Sequence, residues 1–261
     1  MSLLWKISKP SIEHTSYLVG TMHIQDQRAF YLLDKIKAII QSCEAFATEF
    51  KLDEADQNLI QAYMLLPEGT TLNDYIKPKR YKKIDAFLQE NMGMPLDVFA
   101  KSKPMAISNL VTAAYFQADM PLALDATLFE FAKEEGKTLL GIETFDEQLE
   151  ILNLIPIETQ VKGLWNMVRK YDEFCTEMRQ LAQLYQDGNI EEIYTITHKS
   201  AKGMRNIMIH NRNRNMANRI AQMIQSQSMC IAIGAAHLGG KRGVLNRLKK
   251  LKFEVEAIEV L

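Results

Sequence analysis

The chain has 261 residues, 47% of them apolar and 24% charged, with 31 basic against 32 acidic side chains and a formal charge of −1. That composition belongs to a globular protein with room for a substantial core, and it excludes disordered and fibrous classes. The balanced charge gives no basic excess of the kind that marks nucleic-acid binders, so no nucleic-acid partner is expected.

In chain order, residues 3–7 and 15–19 are short β-favouring runs separated by Lys9-Pro10-Ser11, the pattern of a hairpin. Residues 30–42 set Phe30, Leu33, Ile36, Ile39 and Ile40 at helical spacing. A third strand is predicted over 45–50, ending in Thr48-Glu49-Phe50. Residues 53–135 read as a helical insertion, with helices over 53–65, 78–90, 96–102, 104–117 and 121–134 and Pro or Gly at most joints. Residues 138–142 predict a fourth strand that runs directly into Glu143. The pattern over 146–225 is helical again, broken near Asp187-Gly188. Residues 228–233 form the fifth predicted strand, 240–252 a helix, and 253–260 a closing strand. The basic stretch Lys241, Arg242, Arg247, Lys249, Lys250 and Lys252 reads as the solvated face and C-terminal end of that helix. Strands at both ends interleaved with helices predict an α/β fold in one domain over 1–261. Its central mixed β-sheet draws on N- and C-terminal segments, is flanked by helices, and carries the insertion at about 53–135 as a helical subdomain.

The three cysteines, Cys43, Cys175 and Cys230, are odd in number and form no CxxC pair, which points to a reducing compartment. No window approaches about eighteen uninterrupted apolar residues, so no membrane span is expected. No basic-then-apolar leader opens the chain. The location expected is the cytoplasm as the chain stands, or the periplasm or exterior if a native leader preceded Met1-Ser2-Leu3.

"VGTMHIQD" (19–26) and "CIAIGAAHLGG" (230–240) both carry an apolar β run into Gly-x-x-His. Ligands of open α/β sheets bind beyond the carboxyl ends of the strands. Four predicted strands end there on reactive side chains: His23, Glu49, Glu143 and His237. Gly20 and Gly234 are expected to let the chain leave the strand at dihedrals closed to other residues and to admit backbone close to a ligand. Two neutral imidazoles with one or two carboxylates suit a first-row transition metal with open positions. One such motif occurs by chance in many proteins; two, with acidic residues closing two further strands, point to one shared site. His14, in a polar turn, and His198 and His210, in helical stretches, read as ordinary surface or helix residues. "HNRNRNMANRIAQMI" (210–224) crowds Asn211, Asn213 and Asn215 into a predicted helix, although asparagine is a poor helix former. Either the asparagines fray and cap the helix start, or Arg212 reaches the crevice to hold a carboxylate or oxyanion.

These motifs resemble the TraB/GumN family and the related Tiki metalloproteases. The resemblance runs in order through "LWKI" (4–7), "SYLVGTMHIQD" (16–26), "ATEF" (47–50), "LPEGTTLNDYI" (66–76) and "KPMAI" (103–107). It continues through "LDATLFEFAKEEGKTLLGIETFDEQLEIL" (124–152), "NRNRNMANRI" (211–220) and "AIGAAHLGG" (232–240). It implies an α/β fold of the kind shared with erythromycin esterases and a haem-binding lipoprotein family. It also implies a site in which His23, His237 and Glu49 act together, with Glu143, Arg212 and Asn213 matching further motif positions. The Tiki relatives imply a metal-dependent peptidase, and this chain lacks the HExxH helix of zinc peptidases.

The expected function is therefore metal-assisted hydrolysis of an amide or ester. His23, Glu49 and His237 would hold one divalent ion (Mn, Co or Zn), with Glu49 as ligand or general base. Arg212 would steady an oxyanion, and Glu143 would orient a histidine. The substrate expected is a peptide or other small molecule, and a homodimer is compatible with the sequence. Two alternatives stand beside this reading. One is a metal-free reaction in which a histidine and Glu49 activate water. The other is a binding or regulatory protein that captures a peptide, signal molecule or tetrapyrrole without turning it over.

Overall fold

The computed structural model describes residues 2–116, 119–201 and 203–259; the predicted ends of the 104–117 helix and the 253–260 strand fall partly outside them. The chain divides into two compact units. One comprises 1–54, 119–148 and 180–261, the other 55–118 and 149–179.

The first unit holds a six-stranded mixed sheet: β1 (Leu4–Lys9), β2 (Ile12–Thr21), β3 (Ala45–Thr48), β4 (Thr138–Gly141), β5 (Met229–Gly234) and β6 (Glu254–Ala257), in the order β4-β3-β5-β2-β1-β6. This is the α/β fold the sequence predicted. β1 and β2 are antiparallel as the hairpin signal indicated, and β6 adds antiparallel to β1. β2, β5, β3 and β4 run parallel, with Thr21 opposite Gly234, Ala47 opposite Ile231 and Thr48 opposite Gly141. Their carboxyl ends therefore lie along one sheet edge.

β3 is buried throughout and β5 up to its last residue, which is why both read as unbroken apolar runs rather than as alternation. Phe46, Leu18, Ile231 and Ile233 are fully buried, and Ile36, Ile40, Leu128, Phe129, Met216 and Ile220 from flanking helices close over them. His14 lies in β2, not in a turn, with Nε2 2.9 Å from the Ile224 carbonyl.

The second unit is helical, with Pro78–Met92, Pro104–Tyr115 and Ile157–Arg169 around Leu72, Ile84, Leu88, Ile107, Val111 and Leu164. Pro78 opens its helix at the position where a missing N–H costs nothing, and Gly93 ends it at φ +67° in the left-handed region. The predicted 53–65 and 96–102 helices are shorter, as Gln57–Tyr63 and a single turn at Leu96–Phe99. Among the described residues no helix is long and apolar enough to cross a membrane.

Candidate active site

The four parallel strands deliver their side chains to the sheet edge. Glu49 directly follows β3, Glu143 follows β4 by two residues, His237 follows β5 by three and His23 follows β2 by two. Gly20 and Gly234 do not adopt positive φ, contrary to the expected dihedral role, so their contribution is space. A Cβ on Gly20 would lie 2.8 Å from Leu238 Cδ1. One on Gly234 would lie 3.2 Å from Glu49 Oε1, where the Gly234 N–H donates to that oxygen at 2.8 Å.

Arg212 ties the acidic strand ends together. Its Nη2 donates to Glu49 Oε2 at 2.7 Å and to Glu143 Oε2 at 2.6 Å, and its Nε donates to both Glu143 oxygens at 3.2 and 3.1 Å. Nη1 is left towards His237, 3.4 Å from its Nε2. Gln148 Nε2 donates to Glu49 at 3.2 Å and to Glu143 at 3.1 Å. Glu143 is 5% exposed, and its carboxylate accepts from Arg212 and Gln148 and bonds no histidine.

One residue of the asparagine-rich segment, Asn213, has a definite structural role. Asn206–Asn211 is a π-helical turn, a rare geometry that concentrates at functional sites, and the α-helix Arg212–Met223 follows it. Asn213 has no exposed surface, and its amide accepts from His237 Nδ1 at 2.6 Å while donating to the Arg242 carbonyl at 3.1 Å. That contact places the imidazole proton on Nδ1 and a lone pair on Nε2. The helix is anchored by Arg219, whose guanidinium donates to both Glu147 oxygens at 2.6 Å and to the Ile142 carbonyl at 2.9 Å. Glu147 in turn forms a capping box with Thr144.

Electrostatics separate the roles. Burial opposes ionisation of Glu49, but the charge that His237 carries in acid, the Arg212 charge and the bonds from Gly234 and Arg212 outweigh it, holding the carboxyl at about 2. A carboxylate so strongly held is a poor proton acceptor near neutral pH. Burial, helped by the Arg212 charge and opposed by the two glutamates, pushes His237 below the ordinary histidine value. His237 is therefore neutral near pH 7, with Nε2 able to accept a proton or ligate.

His23 makes none of these hydrogen bonds. It is exposed, and Nδ1 donates to Asp125 at 2.8 and 2.9 Å. The Asp125 bond raises the His23 pKa against opposing desolvation, with the charges of Asp125 and Glu49 adding to the rise. Thus Glu49, Glu143, Arg212 and His237 are in direct contact, and His23 stands outside that contact within the field of Glu49. Asp125→Asn is expected to move the His23 titration down towards the ordinary value, read by NMR of the imidazole C–H signals. The sign follows from the raised folded pKa: the pair favours the protonated ring, adds to stability at low pH, and loses that contribution as pH rises through the raised value. An unchanged titration would separate His23 from Asp125.

Among the described residues no three His, Cys, Asp or Glu side chains stand together in an arrangement that could hold a metal ion. The donor chemistry nevertheless fits a divalent cation. Asp125 and Asn213 take the Nδ1 protons, leaving Nε2 of His23 and of His237 to ligate, and the Asp125–His23 pair has the carboxylate–histidine form common behind metal ligands. The third donor, Glu49, is ionised but engaged by Arg212.

A profile described as the TraB/PrgY/gumN family matches residues 3–257. The chain belongs to the TraB/PrgY/gumN family. This family member is similar over 98% of its length to "Metalloprotease TIKI2" and "Metalloprotease TIKI1" of Danio rerio, at 23% identity to each. It is 21% identical over 99% of its length to "Metalloprotease TIKI homolog" of Amphimedon queenslandica. The chain spans 60%, 63% and 62% of the length of these three relatives. No solved structure matches it. For this family member, Asp125, Gln148 and the Gly234 amide are the site groups that sequence reasoning missed. Asp125 and Gln148 lie inside the quoted 124–152 motif, but nothing in their spacing sets them apart.

Proposed function

We propose that the protein is a metal-dependent hydrolase of amide bonds, acting on peptides. The observation that carries this reading is the cluster at the carboxyl edge of the sheet. There an ionised Glu49, a neutral His237 with its proton fixed on Nδ1, and an Arg212 held by two carboxylates lie in contact. Similarity to the TIKI metalloproteases supports the same reaction class.

His23, His237 and Glu49 would hold the divalent ion, which when bound polarises a carbonyl and lowers the pKa of water to about 7. Asp125 keeps the His23 proton on Nδ1 and Asn213 does the same for His237, so neither ring must change tautomer to ligate. Glu143 and Glu49, themselves bonded by Gln148, fix the plane of the Arg212 guanidinium, leaving Nη1 to donate to the oxygen on which charge develops.

A second reading is metal-free, with His237 Nε2 as general base. What favours it is that Arg212 already occupies Glu49 and that His23 lies outside the contact cluster. Incubation with a peptide library, with products read by mass spectrometry, tests both. The proposal expects cleavage that EDTA abolishes and that Mn, Co or Zn restores. Cleavage indifferent to chelation would transfer the reaction to His237 alone. Peptide binding with no cleavage under any metal condition would make the protein a capture module.

A further inference from the structure

A second cluster of ring and guanidinium nitrogens lies in the same unit, apart from the carboxylate cluster. A cavity of about 620 Å3 is lined by Tyr194, His198, Arg205, His210, Lys241 and Arg242, and none of the described residues lining it is acidic. The His198 and His210 rings stack with centroids 5.1 Å apart, and their Nε2 atoms approach to 3.1 Å. That contact needs a lone pair on one ring facing an N–H on the other, so the two rings cannot both be cations there. Burial, reinforced by the neighbouring arginines, holds both rings below the ordinary histidine pKa.

The guanidinium groups are only lightly engaged by their surroundings. Arg205 Nε donates to the His198 carbonyl at 2.5 Å, and Arg242 Nη1 lies 2.9 Å from His210 Nδ1. Each guanidinium carries five N–H donors, so both keep donors beyond these contacts. Glu191, whose carboxylate accepts the Gly240 N–H at 3.0 and 3.1 Å, offsets part of this positive charge but does not line the cavity.

The backbone is shaped to hold this arrangement. His210 sits in the π-helical turn Asn206–Asn211. Gly240 has φ +77°, and a Cβ there would come within 2.2 Å of the Tyr194 ring, so only glycine lets that ring pack over the loop carrying Lys241 and Arg242. Tyr194 also stacks on His198, with centroids 5.4 Å apart. Holding cations around an open cavity costs Coulomb energy that a bound anion would remove. Arginine forks are matched to a tetrahedral oxyanion in charge and geometry.

We propose that this pocket binds a phosphate-class oxyanion, taken either as the free ion or as the phosphoryl group of a small ligand. The site is independent of the hydrolase reading, although Arg242 also offers its carbonyl to Asn213 and so shares one strut with the His237 cluster.

The test is isothermal titration of the full chain with inorganic phosphate and, separately, with glycerol 3-phosphate. Saturable binding at one site per chain is expected from at least one of them. Tighter binding of the ester identifies a phosphoryl ligand, and tighter binding of the ion identifies free phosphate. Arg242→Gln and Lys241→Gln are each expected to weaken binding about tenfold or more. Lys249→Gln, on the neighbouring exposed helix face, should change it less than about twofold and controls for net charge. Circular dichroism checks the fold; should Arg242→Gln not fold, Lys241→Gln at an exposed position carries the comparison. Absence of saturable binding of either probe, or equal affinity in the folded pocket variants and the parent chain, overturns the site.

Discussion

Replacing Arg212 with methionine is expected to cost about 3–5 kcal/mol of folding stability at neutral pH, because it removes one partner of a buried ion cluster. The side chain is 13% exposed and is shared by Glu143 and Glu49, at 3% and 24%. Without the guanidinium two carboxylates face each other with Gln148 as a shared side-chain donor. The Glu49 pKa should then rise, since Arg212 supplies both a charge and a hydrogen bond that lower it. Parent and variant respond to acid with opposite sign. In the parent, a depressed Glu49 contributes stability above its unfolded pKa and loses it as pH falls towards about 2. In the variant, repulsion between ionised carboxylates means that mild acidification recovers stability. Urea denaturation at pH 7 and pH 5 reads both effects. A variant within about 1 kcal/mol of the parent, with no recovery at pH 5, would show that the cluster is not what holds this edge of the sheet.

His237→Ala is expected to lower kcat/KM on a cleaved peptide by about 10²- to 10⁴-fold or more, the range for loss of a group that moves a proton or fixes the reacting centre. The fold should survive. The cost there is the buried Asn213 carbonyl left without its 2.6 Å donor, about 1–3 kcal/mol. Asn213→Ala probes the same ring without touching it, freeing the tautomer of His237, and should lose part of the rate while the imidazole remains. Peptidase kinetics on the three chains, with circular dichroism as the fold check, decide the point. Full activity in His237→Ala would remove the histidine from the chemistry.

Much of this edge was legible in the sequence because its strands are buried. β3 and β5 read as apolar runs, and the residue that ends such a run in a parallel sheet must emerge at the ligand-binding edge. Glu49 and His237 were reachable by that rule, Glu143 by its place just after the less buried strand β4, and Arg212 by the oddity of an asparagine-rich helix start. The supporting contacts were not. Gln148 sits one turn into an ordinary amphipathic helix, and Asp125 opens another; only the packing of those helices turns them towards Glu49 and His23. The glycines misled for a related reason: Gly-x-x-His suggests a dihedral role, whereas Gly234 serves by leaving room for a carboxylate. His198 and His210 read as unremarkable helix residues because their contact crosses the break between the helix Ile190–Ser200 and the π-turn, which periodicity does not encode. The second unit likewise joins 55–118 with 149–179 through a shared core that includes Ile107 and Leu164, a long-range choice absent from any local pattern.

In the proposed function His23, Glu49 and His237 would hold one divalent ion, although only Glu49 and His237 touch the Arg212 cluster. Metal content by mass spectrometry, after chelation and reloading with Mn, Co or Zn, tests it most directly. One ion per chain is expected in the parent and in a His198→Ala/His210→Ala chain, and none in folded His23→Ala or His237→Ala chains. Equal loading of all four, or no loading of the parent, would show that these three side chains do not form a metal site.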